Sequence, residues 1–299
     1  MTKIVVTGAT GNLGGATVNH LLDLVPASDI TVLVRSAEKA SSLAARGVSV
    51  AIGDYFDKDS LVRAFRGADK VLLIGSPAHS DRVLQQTNMI EAVKEARAGH
   101  AVYVGLQRKE GSQAKIAAVT DVEIASEAAL KASGVPYTIV RNTVYTNHLR
   151  LRNVGPNYLK VGMMSFGPET PTTYADIDDL GFGNAKLLLQ SGHENATYTF
   201  NAGEALSFRE IAALLSEIHG TEIPFKTVSI LEFISALLAA GLPQPLALYS
   251  ADFTNATAAG DFSEASTALA EISGRKPQTL KEAILKNPTP AMPPMRRPA

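Results

Sequence analysis

The chain has 299 residues, 45% hydrophobic and 19% charged, with a formal net charge of −1 and no cysteine. That length holds one large domain or two smaller ones around a sizeable core, and the near-zero charge removes any electrostatic case for nucleic acid or an anionic membrane. Without cysteine there are no disulfides, thiolate metal sites or cysteine nucleophiles, which fits a reducing compartment.

In chain order, MTKIVVTG enters a strand directly, over residues 3–8, and leaves no room for a signal peptide, so the expected location is cytoplasmic. Residues 12–25 carry Leu13, Val18, Leu21, Leu22 and Val25 at helical spacing. A strand at 29–36, a helix at 36–47 closed by glycine, a strand at 48–54 and a short helix at 59–67 follow. A fourth strand covers 70–77, an amphipathic helix 82–98, a fifth strand 100–106, a helix 122–134 and a sixth strand 136–142. Near-continuous Val/Ile/Leu runs suit strands covered on both faces, and repeated βα units predict an α/β, Rossmann-type, doubly wound parallel sheet.

After about residue 150 the order changes. Residues 149–162 read as irregular, 174–190 as a helix, 195–203 as a strand, 206–220 as a helix opened by a Ser207/Glu210 capping box, 222–229 as a strand and 230–241 as an apolar helix. That block, extended to 242, is too short to span a bilayer and contains Glu232. The expected organisation is a dinucleotide-binding domain over 1–150, its sheet completed by parts of 174–203. A smaller C-terminal α+β lobe on the substrate side would occupy 151–299 and end in the extended, proline-dense tail NPTPAMPPMRRPA.

The strand–turn–helix junction VTGATGNLGG spaces Gly8, Gly11 and Gly14 three apart. Glycine there allows a sharp bend, close backbone approach to a pyrophosphate, and tight helix–strand packing, while amides at the helix start attract phosphate oxygens. The second strand ends in Val34-Arg35-Ser36, where an Asp or Glu would suit a free ribose 2′-hydroxyl. Arginine suits a 2′-phosphate instead, so NADP(H) is favoured over NAD(H), with Lys39 one turn on adding charge. Asp54, after the third strand, either bonds an adenine amino group or serves as a turn residue.

TGATGNLG, LVRSAEKA, GDYFD and SGVPYTIVRNTVYTNHL (133–149) together resemble the NmrA-like, atypical short-chain dehydrogenase/reductase family, on its NADPH:quinone oxidoreductase and triphenylmethane reductase branch. The resemblance runs over most of the chain. It implies that Gly8, Ala9, Thr10, Gly11, Asn12 and Leu13 wrap a pyrophosphate, with Arg35 on the 2′-phosphate and Asp54–Tyr55 nearby. Gly75, Ser76 and Pro77 would line a ribose, and Val104, Gly105 and Leu106 the nicotinamide-side ribose. Asn142, Thr143, Val144, Tyr145, Thr146 and Asn147 would form the loop beside the nicotinamide. Tyr145, either a packing aromatic or a group facing both cofactor and substrate, is the one catalytic candidate; His148 is a second substrate candidate.

Ordinary short-chain dehydrogenases use a Tyr-x-x-x-Lys pair to protonate a forming alkoxide. Here the residues four after Tyr55, Tyr103, Tyr137, Tyr145, Tyr158, Tyr174, Tyr198 and Tyr249 are Asp, Gln, Arg, Leu, Gly, Asp, Ala and Phe. The helix of residues 122–133 carries Glu123 and Glu127, with Ala128 where quinone-reducing members often carry lysine. A quinone or a cationic dye needs less acid help than a ketone, because its reduced form is a ring-stabilised anion or a neutral molecule. No H-E-x-x-H, Walker A loop or G-x-S-x-G elbow occurs, no metal site is expected, and Asp176, Asp178 and Asp179 read as a solvated helix start. The expected function is an NADPH-dependent oxidoreductase passing hydride to a small-molecule quinone or similar conjugated acceptor, and a homodimer is compatible with it. The alternative from another class is a non-catalytic NADP(H)-sensing regulator acting through a protein partner. An epimerase of nucleotide sugars would want the missing tyrosine–lysine pair.

Overall fold

The computed structural model describes residues 2–76, 80–149 and 158–286, without the side chains of residues 148, 149 and 160. Pro77, the side chain of His148 and the proline-dense tail therefore lie outside the described residues.

The first half alternates as its apolar runs dictate. β1 (Ile4–Val6) leads to α1 (Asn12–Leu24), β2 (Ile30–Val34) to α2 (Ser41–Ala44), and β3 (Ser49–Ile52) to α3 (Lys58–Phe65). β4 (Lys70–Ile74) leads to α4 (Arg82–Glu95), and β5 (Ala101–Leu106) to α5 (Thr120–Ala132) and β6 (Tyr137–Asn142). The second half contributes β7 (Val144–Tyr145), α6 (Thr146–Leu149), α7 (Tyr158–Val161), β8 (Met163–Ser165), β9 (Thr172–Ala175), α8 (Ile177–Leu189) and β10 (Ala196–Phe200). It ends with β11 (Ala205–Leu206), α9 (Phe208–His219), β12 (Phe225–Thr227), α10 (Ile230–Ala239), α11 (Gln244–Ala258), α12 (Ala268–Ser273) and α13 (Leu280–Lys286).

The main sheet has seven strands in the order β10-β6-β5-β4-β1-β2-β3, and every neighbouring pair is parallel. Alternation along β1 sorts its side chains to two cores. Ile4 and Val6 face a layer with Val18 and Leu21 of α1 and Leu180, Leu187 and Leu188 of α8. Val5 faces Leu61 and Phe65 of α3, Met89 and Val93 of α4, and Leu130 of α5. A third core under Tyr174, Phe208, Ile211, Phe253 and Phe262 lies mostly in the second half but takes in Ala114, Ile116, Val119 and Val144, with a smaller one around Phe166, Phe233 and Leu237. No helix among the described residues is long and apolar enough to cross a membrane.

Three expectations shift in detail. The helix read over 36–47 is a 3-10 turn, Ala37–Ala40, followed by the single turn α2. Ser36 makes no capping bond, and the Ser41–Ser42 pair is a weak helix former. The helix read from 174 starts at 177, because Thr172, Thr173 and Tyr174 form β9 and the Asp176 side chain accepts from the Asp178 amide at 2.9 Å. The acids there are not simply solvated: Asp179 is 3% exposed and accepts from Arg275 Nη2 at 2.9 Å and from the Gln278 amide at 2.8 Å. The Ser207/Glu210 capping box forms, and a second one, Ser229/Glu232, opens α10.

At the amino end of β5, His100 is buried beside Lys70 and meets Thr138 Oγ1 at 2.8 Å. Burial, then the neighbouring ammonium, pushes its pKa from the ordinary 6.5 down to about 4. The fold therefore holds this imidazole neutral while the unfolded chain takes up a proton near pH 6.5. Its contribution is complete above that value and is lost as pH falls toward 4. Urea midpoints should drop across this window in the wild type and drop less in His100→Asn.

Candidate active site

One cleft of about 1150 Å³ runs along the carboxyl ends of β1, β2, β4, β5 and β6 and on under α11. Its floor begins at the β1–α1 turn. Gly8 has a φ of +63°, and the Gly11 amide closes the turn onto Gly8 O at 2.9 Å. A Cβ on Gly14 would lie 2.2 Å from that same carbonyl oxygen, so only glycine lets the helix start this close to the strand. Gly11 caps α1 with no side-chain bond, which leaves the first helical amides open to an anion. Thr7 locks the turn to its neighbour strand by accepting from the Ile74 amide at 2.8 Å.

Of the residues expected here, Gly8, Thr10, Gly11, Asn12, Leu13, Arg35, Asp54, Tyr55, Gly75, Ser76, Val104, Gly105, Leu106, Thr143, Val144 and Tyr145 line the cleft. Arg35 is exposed at the end of β2 and makes no ion pair among the described residues. Asp54 both lines the cleft and makes a turn, with Oδ1 accepting from the Phe56 amide at 2.9 Å. Tyr55 donates to Ile74 O at 3.1 Å, and burial pushes its hydroxyl up to about 12, so it acts as a neutral donor.

The remaining candidates do not line the cleft. Ala9 is buried behind the turn, Lys39 is exposed outside the cleft, and Asn147 is exposed beyond Tyr145. Thr146 turns to Ala175 O at 3.1 Å. Asn142 is 1% exposed beneath the loop; its Nδ2 donates to Tyr145 Oη at 3.3 Å, and its Oδ1 has no partner among the described residues.

Sequence reasoning missed two sets of lining residues. The first is the wall of Ala117, Val119, Pro245, Leu246, Leu248, Tyr249, Asp252 and Phe253. Asp252 ties its two segments together by accepting from the Ala117 amide at 3.0 Å, and Tyr249 and Phe253 meet edge to face at 5.0 Å. The second is Arg82 and Glu123, a buried ion pair at the start of α4 and on α5. Tyr103 Oη donates to Glu123 Oε2 at 2.7 Å. Burial pushes the Glu123 carboxyl above the usual range, against the pull of Arg82. One turn on, Glu127 is buried too, and its two arginines, Arg141 and Arg108, outweigh that burial and hold it below the usual range. On α5, Glu123, Ser126, Glu127 and Leu130 share the inner face while Ile124 is exposed, the reverse of an amphipathic pattern, so no sequence signal marks either acid.

The strand order reverses between β1 and β4, and the cleft opens there, which makes this a dinucleotide-binding fold of the Rossmann type. The chain belongs to the NmrA-like family, which matches residues 1–284. It is 32% identical over 283 residues to quinone oxidoreductase 2 of Escherichia coli (strain K12), covering 94% of this chain and 97% of that protein. The crystal structure of an NADPH-dependent quinone oxidoreductase from Escherichia coli complexed with NADPH superposes with a TM-score of 0.88 at 31% identity, over 96% of this chain and 100% of that one. Triphenylmethane reductase of Citrobacter sp., complexed with NADP(H), gives a TM-score of 0.85 at 32% identity, over 95% of this chain and 99% of that one.

Gly14→Ala forces a methyl into the Gly8 carbonyl. The expected cost is about 1–3 kcal/mol of stability, read as a lower urea midpoint, together with weakened dinucleotide binding in calorimetry.

Proposed function

We propose that this protein is an NADPH-dependent oxidoreductase that passes hydride to a quinone or a similar conjugated small-molecule acceptor. The observation that carries this reading is the continuity of one cleft, from an anion-holding turn and Arg35 to an aromatic wall of Tyr145, Tyr249 and Phe253. At about 1150 Å³ it exceeds the roughly 300–1,000 Å³ of a site for one drug-sized ligand, so a dinucleotide and a planar acceptor fit end to end. The similarity to the Escherichia coli quinone oxidoreductase and the Citrobacter triphenylmethane reductase supports the same reading.

The residues present fit the cofactor. The Gly8–Leu13 backbone takes the pyrophosphate, and Arg35 takes the 2′-phosphate with a fork of N–H donors. Gly75 and Ser76 would line a ribose, and Val104–Leu106 the nicotinamide-side ribose. Bound NADPH supplies a hydride. The chain supplies orientation: Asn142 fixes the direction of Tyr145, and the half-buried Tyr249, held edge to face on the buried Phe253, gives the wall an aromatic ring for an acceptor to pack against. No Tyr-x-x-x-Lys pair is needed, because a quinone's reduced anion is stabilised by its own ring. The same lack of a pair argues against alcohol dehydrogenation.

Purified protein mixed with NADPH and a panel of quinones should consume nicotinamide absorbance saturably. Tight NADPH binding with no turnover would instead select a dinucleotide-sensing regulator. Arg35→Asp removes a guanidinium and adds a repelling carboxylate, so NADPH affinity should fall at least about tenfold more than NADH affinity, given about 1.5–3 kcal/mol for a charged hydrogen bond. Equal losses for the two coenzymes would remove the case for 2′-phosphate recognition.

A further inference from the structure

Arg82 and Glu123 are 8% and 4% exposed and meet beneath the carboxyl ends of β4 and β5. Arg82 Nη1 donates to Ser76 O and Nη2 to Glu123 Oε1, and Nε has no partner among the described residues. Both residues line the cleft. Their distance from it is set by two glycines. A Cβ on Gly105 would lie 2.9 Å from Glu123 Oε2, and one on Gly75 would lie 3.4 Å from Arg82 Nη2 and 2.9 Å from Gln86 Nε2. Fixed charges of both signs thus sit directly behind the two strand ends that support one half of a bound dinucleotide. The other half lies over β1–β3, across the switch point.

The half over β4 and β5 is the one whose charge changes. Loss of hydride from the dihydronicotinamide leaves its ring with one positive charge, while the adenine half is unaltered. A buried guanidinium alone would repel that oxidised ring and leave the neutral reduced ring nearly untouched, since charges in a dry site act at low effective dielectric. A carboxylate in contact with the guanidinium cancels the repulsion.

We propose that Glu123 is the counter-charge to Arg82 that sets the relative affinity of the cleft for NADP⁺ and NADPH. Glu123 acts as a positioning residue: it takes no part in hydride transfer and holds the field at the ring near neutrality. The inference rests on the reading of the cleft as an NADP(H) site.

The test is the ratio of the NADP⁺ to the NADPH dissociation constant, measured by NADPH fluorescence and by displacement with NADP⁺, with no acceptor present. Glu123→Gln leaves Arg82 unbalanced, and the ratio should rise about tenfold. Arg82→Gln combined with Glu123→Gln removes both charges and should return the ratio to within about threefold of wild type, an outcome that mere loosening of the site would not give. A ratio unmoved in Glu123→Gln, or still raised tenfold in the double variant, overturns the proposal. Should Glu123→Gln fail to fold, Arg82→Gln removes the guanidinium and leaves the carboxylate unbalanced. The ratio should then fall about tenfold, and no movement there overturns the proposal as well. A wild-type protein that binds neither form would overturn the cofactor reading itself and is distinguishable from all of these.

Discussion

The carbonyl oxygen of Gly8 occupies the space a side chain on Gly14 would need. That close approach lets α1 rise straight from the end of β1, with its open amides at the switch point of the sheet. A helix shifted outward by one methyl would aim those amides past the cleft and would lift Val18 and Leu21 from the layer they share with α8. The same device recurs along the strand ends. Gly75 and Gly105 make room for Gln86, Arg82 and Glu123, as Gly14 makes room for Gly8. A backbone floor without side chains is what a long, flat, charged ligand needs, and the polar groups beneath supply the field that the missing side chains do not.

The parts legible from sequence are those in which one physical demand dominates. Strands β1, β2, β4 and β5 are buried on both faces over most of their length and read as near-continuous apolar runs, while β6 keeps Ile139 and Val140 at its centre and ends in Arg141 and Asn142. The glycine turn is legible because backbone geometry, not packing, selects its residues. The second half is harder. β7 and β11 have two residues each and β8 three, and none is read from sequence, whereas β12 falls inside the strand read over 222–229. α11 begins after Pro243 with a proline inside its first turn, and its apolar residues serve two masters: Ala247 and Ala251 face the core, while Leu246 and Leu248 are exposed along the cleft. Lys39 read as a phosphate ligand on the assumption of a regular helix after β2; the 3-10 turn places it away from the cleft.

α5 was the most misleading element. Its inner face carries two glutamates and its outer face an exposed isoleucine, the reverse of an amphipathic pattern. Buried acids are tolerated there because arginines reach them from other elements: Arg82 from α4, Arg108 from the loop after β5, and Arg141 from β6. None of these partners is near in sequence, so no local pattern reveals the pairing. Glu123 and Glu127 then diverge by arithmetic of neighbours. Two guanidiniums contact Glu127 in four hydrogen bonds of 2.7–3.0 Å and overcome its burial, whereas one guanidinium and a tyrosine do not overcome the burial of Glu123.

This difference separates two duties on one helix. Glu127 joins β6 to the loop leaving β5, a clamp with no face on the cleft. Glu123, one turn earlier, does face it. In ordinary short-chain dehydrogenases a tyrosine and a lysine form a pair, a proton donor and its tuning cation. Here α5 delivers a carboxyl group already engaged by an arginine and a tyrosine. A site so equipped suits an acceptor that becomes stable on receiving hydride alone. The requirement passes from the protein's acid to the acceptor's own conjugation, and α11 accordingly brings Tyr249 and Phe253 to the cleft.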